Sequence, residues 1–146
     1  MSILHKKINC GLLTDLYGWS ADSGYTGGAV FNFNVYPDID VSKISNPAPL
    51  KIYDTARYLA SYLEYVITGL NSAKSYRVIL HWCEPNASRM IRAFINSVEV
   101  TDGGSGGISV AARAGLNTAF TLSRVISASS SAHIEIYETA INAFIN

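Results

Sequence analysis

An all-β sandwich of short strands is the fold class the sequence predicts, and three observations carry it. Long helical periodicity is missing, short runs of alternating apolar and polar residues dominate, and turn-forming residues separate those runs.

Near the start, Ile3 to Cys10 and Val30 to Tyr36 read as strands. Tyr76, Val78, Leu80 and Trp82 share one face of the next clear run, with Arg77 and His81 on the other. Met90 to Val100, Ala119 to Ser127 and Ile141 to Ile145 are rich in β-branched and aromatic residues and read as further strands. Between them, Ile134 and Ile136 alternate with His133, Glu135 and Tyr137. Gly69-Leu70-Asn71-Ser72 and Glu84-Pro85-Asn86 supply turns. Asp38 to Leu50, with Pro37, Pro47 and Pro49, reads as a long surface connection. Gly103-Gly104-Ser105-Gly106-Gly107 reads as an inter-strand loop, because a phosphate cradle needs a following helix and usually a lysine. No internal repeat or linker divides the chain, so residues 1–146 are expected to form one domain.

Composition narrows the function. Hydrophobic residues make up 49% and charged residues 15% of the 146, which marks an ordered, rather apolar protein able to bury a substantial core. Formal net charge is zero and no basic stripe is present, which speaks against nucleic acid as a partner. No apolar stretch reaches the roughly 20 residues that cross a membrane, so membrane insertion is not expected. Charge interrupts the first ten residues before a secretory core can form. The compartment stays open, since a secreted or surface context follows if this is an excised domain. Cys10 and Cys83 read as free, buried thiols more readily than as one disulfide. Asn86-Ala87-Ser88 fits the glycosylation pattern.

The run Ile52 to Tyr65 carries the main functional signal, with four tyrosines, Tyr53, Tyr58, Tyr62 and Tyr65, around Arg57. A tyrosine offers a flat apolar face and a hydroxyl, the two properties a sugar ring demands together. Tyr53 and Tyr65 read as core, Tyr58 and Tyr62 as ligand-facing. Arg57 reads either as a ligand contact or as an ion-pair partner, for instance of Glu84. Trp19, between Gly18 and small polar residues, reads equally as a stacking platform or as a plug at one end of the sandwich. Trp82 alternates with Leu80 and reads as core. Asp22 and Glu138 offer carboxylates to vicinal hydroxyls, with Asp22 serving equally well as a turn-former.

Taken in order, the motifs resemble the malectin and malectin-like domain family. Ile8-Asn9-Cys10-Gly11, Trp19-Ser20-Ala21-Asp22 and Tyr25-Thr26-Gly27-Gly28 are similar to the family's opening. Tyr53-Asp54-Thr55-Ala56-Arg57-Tyr58 resembles its Tyr-x-Thr-x-Arg-Tyr signature. Tyr76 to Glu84, Arg92 to Asn96 and Ala140 to Ile145 resemble its later strands. The resemblance implies a jelly-roll-like, galactose-binding-domain-like β-sandwich whose end loops bind glucose-containing oligosaccharides. By motif, it puts Tyr58, Tyr62 and Leu63 at ligand-facing positions, Trp19 or Tyr25 as the first-loop aromatic, and Glu138 as the acidic residue before the last strand. Three positions depart from the pattern: Leu63 replaces an aromatic, Glu138 an aspartate, and Ser97 a glycine.

The leading expectation is a non-catalytic carbohydrate-binding domain whose partner is an oligosaccharide, with avidity supplied by a homo-oligomer or a multidomain host. The rival is a structural or protein-interaction sandwich in which the same tyrosines anchor an interface. A glycosidase needs two facing carboxyl groups, and the spacing of Glu64, Glu84 and Glu138 pairs none of them. No cofactor is expected. The three histidines form no zinc pattern, and Asp38 with Asp40 is the sole hint of calcium, without further carboxylates in a calcium loop.

Overall fold

Among the described residues of the computed structural model, eleven strands occur in chain order: β1 (Tyr25–Thr26), β2 (Ala29–Asn32), β3 (Thr55–Tyr58), β4 (Tyr62–Thr68), β5 (Tyr76–Cys83), β6 (Met90–Ile95), β7 (Val98–Val100), β8 (Ile108–Ser109), β9 (Ala119–Ile126), β10 (Ser131–Glu138) and β11 (Phe144–Ile145). A 3-10 segment spans Leu50–Asp54 and one turn of helix, α1, spans Val110–Ala114. The structure describes residues 6–34, 36, 38–58, 62–85, 89–101, 107–127, 129–138 and 144–145, with the backbone alone at Glu138, Phe144 and Ile145. Expectations for Ile3 to His5, the sequon at Asn86, Gly103 to Gly106 and Ile141 to Ala143 lie outside these residues.

One antiparallel sheet runs β1-β4-β10-β6-β7, with β8 also on β6. The other strands form β11-β3-β2 and the pair β5-β9, which make up the second layer of the sandwich. Both layers feed one core. Leu63, Tyr65, Ile91, Ile95, Ile134 and Ile136 enter from the first sheet, and Ala56, Leu80, Trp82, Leu122 and Ile126 from the second. The alternation read in β5 and β10 is the cause: with side chains on opposite faces at a period of two, one apolar set turns inward. Tyr53, Tyr65 and Trp82 are buried as expected, and Cys10 and Cys83 are free and buried.

Three expectations change. Met90 to Val100 is a hairpin, β6 and β7, in which Ile95 faces Val98 across a turn made by Asn96 and Ser97. Ile8 forms only an isolated bridge to Ser20. The connection from Asp38 to Leu50 packs down onto the protein. Ile39 and Ala48 are buried in a second, smaller apolar cluster with Ile52, Tyr53, Cys83 and Ala119, and Asp40 bridges to Thr118. A handful of apolar residues without periodicity gave no sign of this in sequence.

Candidate functional site

The residues singled out from sequence go to three places. Asp22 forms the centre of a buried polar cluster. Its Oδ1 accepts a hydrogen bond from the Tyr65 hydroxyl at 2.7 Å, and its Oδ2 accepts from Arg57 Nε at 2.8 Å and from the Gly11 amide at 2.9 Å. Burial foremost, then Cys10 and Asp22, push the Tyr65 phenol upward, so it stays protonated and donates. Arg57 also donates to the carbonyls of Gly28 at 3.0 Å and Gly27 at 3.5 Å, and its guanidinium carbon lies 3.4 Å from the centroid of the Tyr25 ring. Gly11 is required here: at φ 101°, a Cβ would meet the Ala56 backbone at 2.5 Å. Arg57 therefore pairs with Asp22 and not with Glu84, which faces Arg89 at 3.5 Å. With its side chain fully enclosed, Asp22 holds the first long loop onto β3 and β4.

Trp19 closes a two-residue hairpin with Leu16, whose turn residues Tyr17 and Gly18 both have positive φ. Its ring meets His81 edge-on at 5.5 Å, lies 5.9 Å from Lys7 Nζ and packs on the smaller apolar cluster. Beneath it, the Tyr53 oxygen accepts from the Ala48 amide at 3.2 Å and lies 2.9 Å from His81 Nδ1. Burial lowers the His81 pKa to about 4, so the ring is neutral and one hydrogen bond joins Nδ1 to the Tyr53 phenol. Trp19 is half-buried, so part of its ring packs inward on this cluster and part meets solvent.

Tyr58 and Tyr62 separate. Tyr58, on β3, packs against the main core, meets Phe31 edge-on at 5.2 Å and has the Arg89 guanidinium 5.8 Å from its ring. Tyr62 opens β4 in the other layer. Alternation along β4 turns Leu63 and Tyr65 into the core and Tyr62 and Glu64 outward. Leu63 is thus a core residue, and its departure from the aromatic pattern concerns packing. Of Glu138, the backbone pairs with Ile91, and its side chain lies outside the described residues.

Around Tyr62 the outward face of the first sheet gathers residues that sequence reasoning did not bring together. Tyr62 faces Tyr137, which in turn faces Arg92; one step along, Glu64 faces Glu135, which faces Phe94, which faces Glu99. The rings touch: Tyr62 and Tyr137 have centroids 5.1 Å apart, and Phe94 meets Tyr137 edge-on at 5.5 Å. Glu135 Oε1 accepts from Tyr137 at 3.2 Å and from Tyr62 at 3.5 Å. Partial burial first, then Glu64 and Glu135, push the Tyr62 hydroxyl up to about 12, which keeps it a donor. His133 Nδ1 lies 3.4 Å from Glu64 Oε1, and Arg92 holds Glu99 by two hydrogen bonds of 2.8 Å. Chemically this is an open apolar strip, three strands wide, set with carboxylates whose remaining lone pairs can accept. The outward alternation of His133, Glu135 and Tyr137 was visible in sequence; that β4 and β6 flank β10 was not.

Among the described residues, no three His, Cys, Asp or Glu side chains are grouped to hold a metal ion. Asp40 Oδ1 accepts from the Ser42 amide at 2.8 Å, and that contact, with the Ser42 side chain foremost, holds its pKa below the usual carboxylate value.

No family model and no curated protein matches the chain at the level of sequence. Solved structures do match. The fold is a malectin-like, galactose-binding-like β-sandwich of the jelly-roll type. It is similar to the extracellular domain of ANXUR2 from Arabidopsis thaliana, with a TM-score of 0.80 at 18% identity over 97% of this chain and 46% of that one. The ANX2 ectodomain from the same plant gives 0.78 at 17% identity, over 97% and 47%. A Bacteroides uniformis beta-glucuronidase gives 0.66 at 17% identity, over 95% of this chain but 17% of the enzyme. The chain spans about half the length of the plant ectodomains it matches. Identities this low establish the fold alone.

Proposed function

We propose that the chain is a non-catalytic carbohydrate-binding domain whose sugar site is the outward face of the first sheet. The single observation that carries this reading is the Tyr62–Tyr137 pair, 5.1 Å between centroids, with both phenols on one Glu135 oxygen. Sugar rings stack on the tyrosines and Phe94 through their apolar C–H faces, while Glu64 and Glu135 accept from the hydroxyls. Gluco-oligosaccharides are the first ligands to try. An open face of this kind displaces well-bound water, so single-site affinity falls at about 1 μM to 1 mM, roughly 4 to 8 kcal/mol. Of the residues read from sequence, Tyr62 stays in the proposal. Asp22, Trp19, Tyr25 and Tyr58 are engaged within the protein, and Glu138 is untouched by the observations.

The same geometry argues for binding over hydrolysis. Glu64 and Glu135 stand side by side on neighbouring strands, whereas glycosidase carboxyl groups face each other across the bond they cleave. Glu84 is fully buried. The plant ectodomains with which the fold is shared are parts of receptors, in keeping with a recognition role.

Isothermal titration with a panel of oligosaccharides tests the proposal. Binding that weakens at least about tenfold in Tyr62→Ala and in Tyr137→Ala supports it, a loss of about 1.4 kcal/mol or more. Silence with every glycan sinks it.

A second reading, a protein-interaction module, is favoured by one feature. Strand β2 ends its sheet among the described residues, and all four of its residues, Ala29, Val30, Phe31 and Asn32, are exposed. Light scattering that reports a stable oligomer, lost in Phe31→Glu, would favour that reading.

A further inference from the structure

Building on the sugar-site reading, we propose that this face selects glycans bearing protonated amines, with glucosamine units the preferred ligand over neutral or acidic sugars.

Charge complementarity on an aromatic platform carries this preference. Glu64 and Glu135 are direct partners in the β4–β10 register. Like charges directly opposite on neighbouring strands destabilise a sheet. A local rule broken in this way marks places where function outweighs stability. The basic groups on the outward positions of β4, β10, β6 and β7 do not cancel the pair. Arg92 is taken by Glu99 through both hydrogen bonds, and His133 reaches only Glu64, at 3.4 Å. Glu64, Glu99 and Glu135 thus outnumber Arg92.

The rings lie where an ammonium gains most. Tyr62 and Tyr137 flank Glu135 and both phenols meet its Oε1, with the Tyr62 hydroxyl also engaging Glu64. An ionised carboxylate has about four acceptor sites, so Oε2 and Glu64 remain able to receive an N–H donor. The electron-rich ring faces beside them add cation–π attraction, worth about 0.5–1 kcal/mol at an exposed site. A glucosamine unit satisfies both demands: its pyranose ring stacks and its ammonium bridges the two carboxylates. N-acetylation removes the charge and the gain together. A uronic acid sets a third carboxylate against the pair and is repelled.

The test is titration with short oligomers of glucosamine, N-acetylglucosamine, glucose and glucuronic acid, with free spermidine as a cation that has no sugar ring. The expected order places glucosamine about fivefold or more tighter than the two neutral oligomers, with glucuronic acid weakest. In the double variant Glu64→Gln, Glu135→Gln the oligomers converge on similar affinities. Oligomers of N-trimethylated glucosamine carry a permanent charge but no N–H. As pH is raised they keep the part of the advantage that charge and cation–π attraction supply, while the unmodified glucosamine oligomers lose theirs. Equal or tighter binding of the neutral oligomers, still lost in Tyr137→Ala, would overturn the amine preference and leave the sugar site standing. Spermidine binding as tightly as the glucosamine oligomer would overturn it too, by showing a general cation site. An absence of binding by all the oligomers would remove both readings.

Discussion

Arg57 lies flat against Tyr25, its guanidinium carbon 3.4 Å from the ring centroid, while its Nε donates to Asp22 at 2.8 Å. Tyr25 is 41% exposed, so the stack places the β1 ring between solvent and a buried ion pair. The pair lies in the interior, and removing either partner leaves a desolvated charge behind. Asp22→Ala and Arg57→Ala are each expected to cost about 3–5 kcal/mol in urea unfolding. Arg57→Lys should recover little, because an ammonium cannot stack flat while bonding Asp22 and the Gly28 carbonyl together. A loss below about 1 kcal/mol in either alanine variant would mean that the pair behaves as an exposed one.

His81 makes stability depend on acid. Burial holds its folded pKa at about 4, below the ordinary 6.5, so the unfolded chain takes up its proton first as pH falls. The contribution is complete above about pH 6.5, declines below it, and is gone once pH passes about 4. The difference in unfolding free energy between the unmodified protein and His81→Gln, followed through that window, should change by up to about 3 kcal/mol. A difference that stays flat across the window would place the His81 pKa near its ordinary value.

Ser97 sits at φ 62°, after Asn96 at φ 48°, in the two-residue turn between β6 and β7. Such turns need positive φ at both central residues, which asparagine tolerates and glycine adopts freely. Ser97→Gly should therefore stabilise the protein by about 0.5–1 kcal/mol, seen as a higher urea midpoint at unchanged slope. An unchanged or lower midpoint would show that the serine side chain compensates for its backbone.

Much of the fold was legible because a period of two is a strong signal. Tyr76 to Trp82 and Ile134 to Tyr137 declare their faces by alternation alone, and Tyr53, Tyr65 and Trp82 proved to be core. Helix α1 escaped notice since five residues are too few to show a helical period. The long connection escaped notice because Ile39 and Ala48 bury without pattern. The candidate site was legible only in part. Tyr58 and Tyr62 are close in sequence, yet the chain changes layers between them, and proximity in sequence is no guide to that. Arg57 illustrates the same limit: sequence left it as a ligand contact or an ion-pair partner of Glu84, and only the packing of loop against strand paired it with Asp22.

The sugar-site proposal stands or falls on a location, the outward face where Tyr62, Phe94 and Tyr137 meet. Backbone amide NMR shifts recorded during titration with a binding oligosaccharide are its sharpest test. The largest shifts are expected to map to β4, β10 and β6, around Tyr62, Glu64, Glu135, Tyr137 and Phe94. Shifts confined to the loops around Trp19 and Tyr25, or to Phe31 and Tyr58, would contradict it.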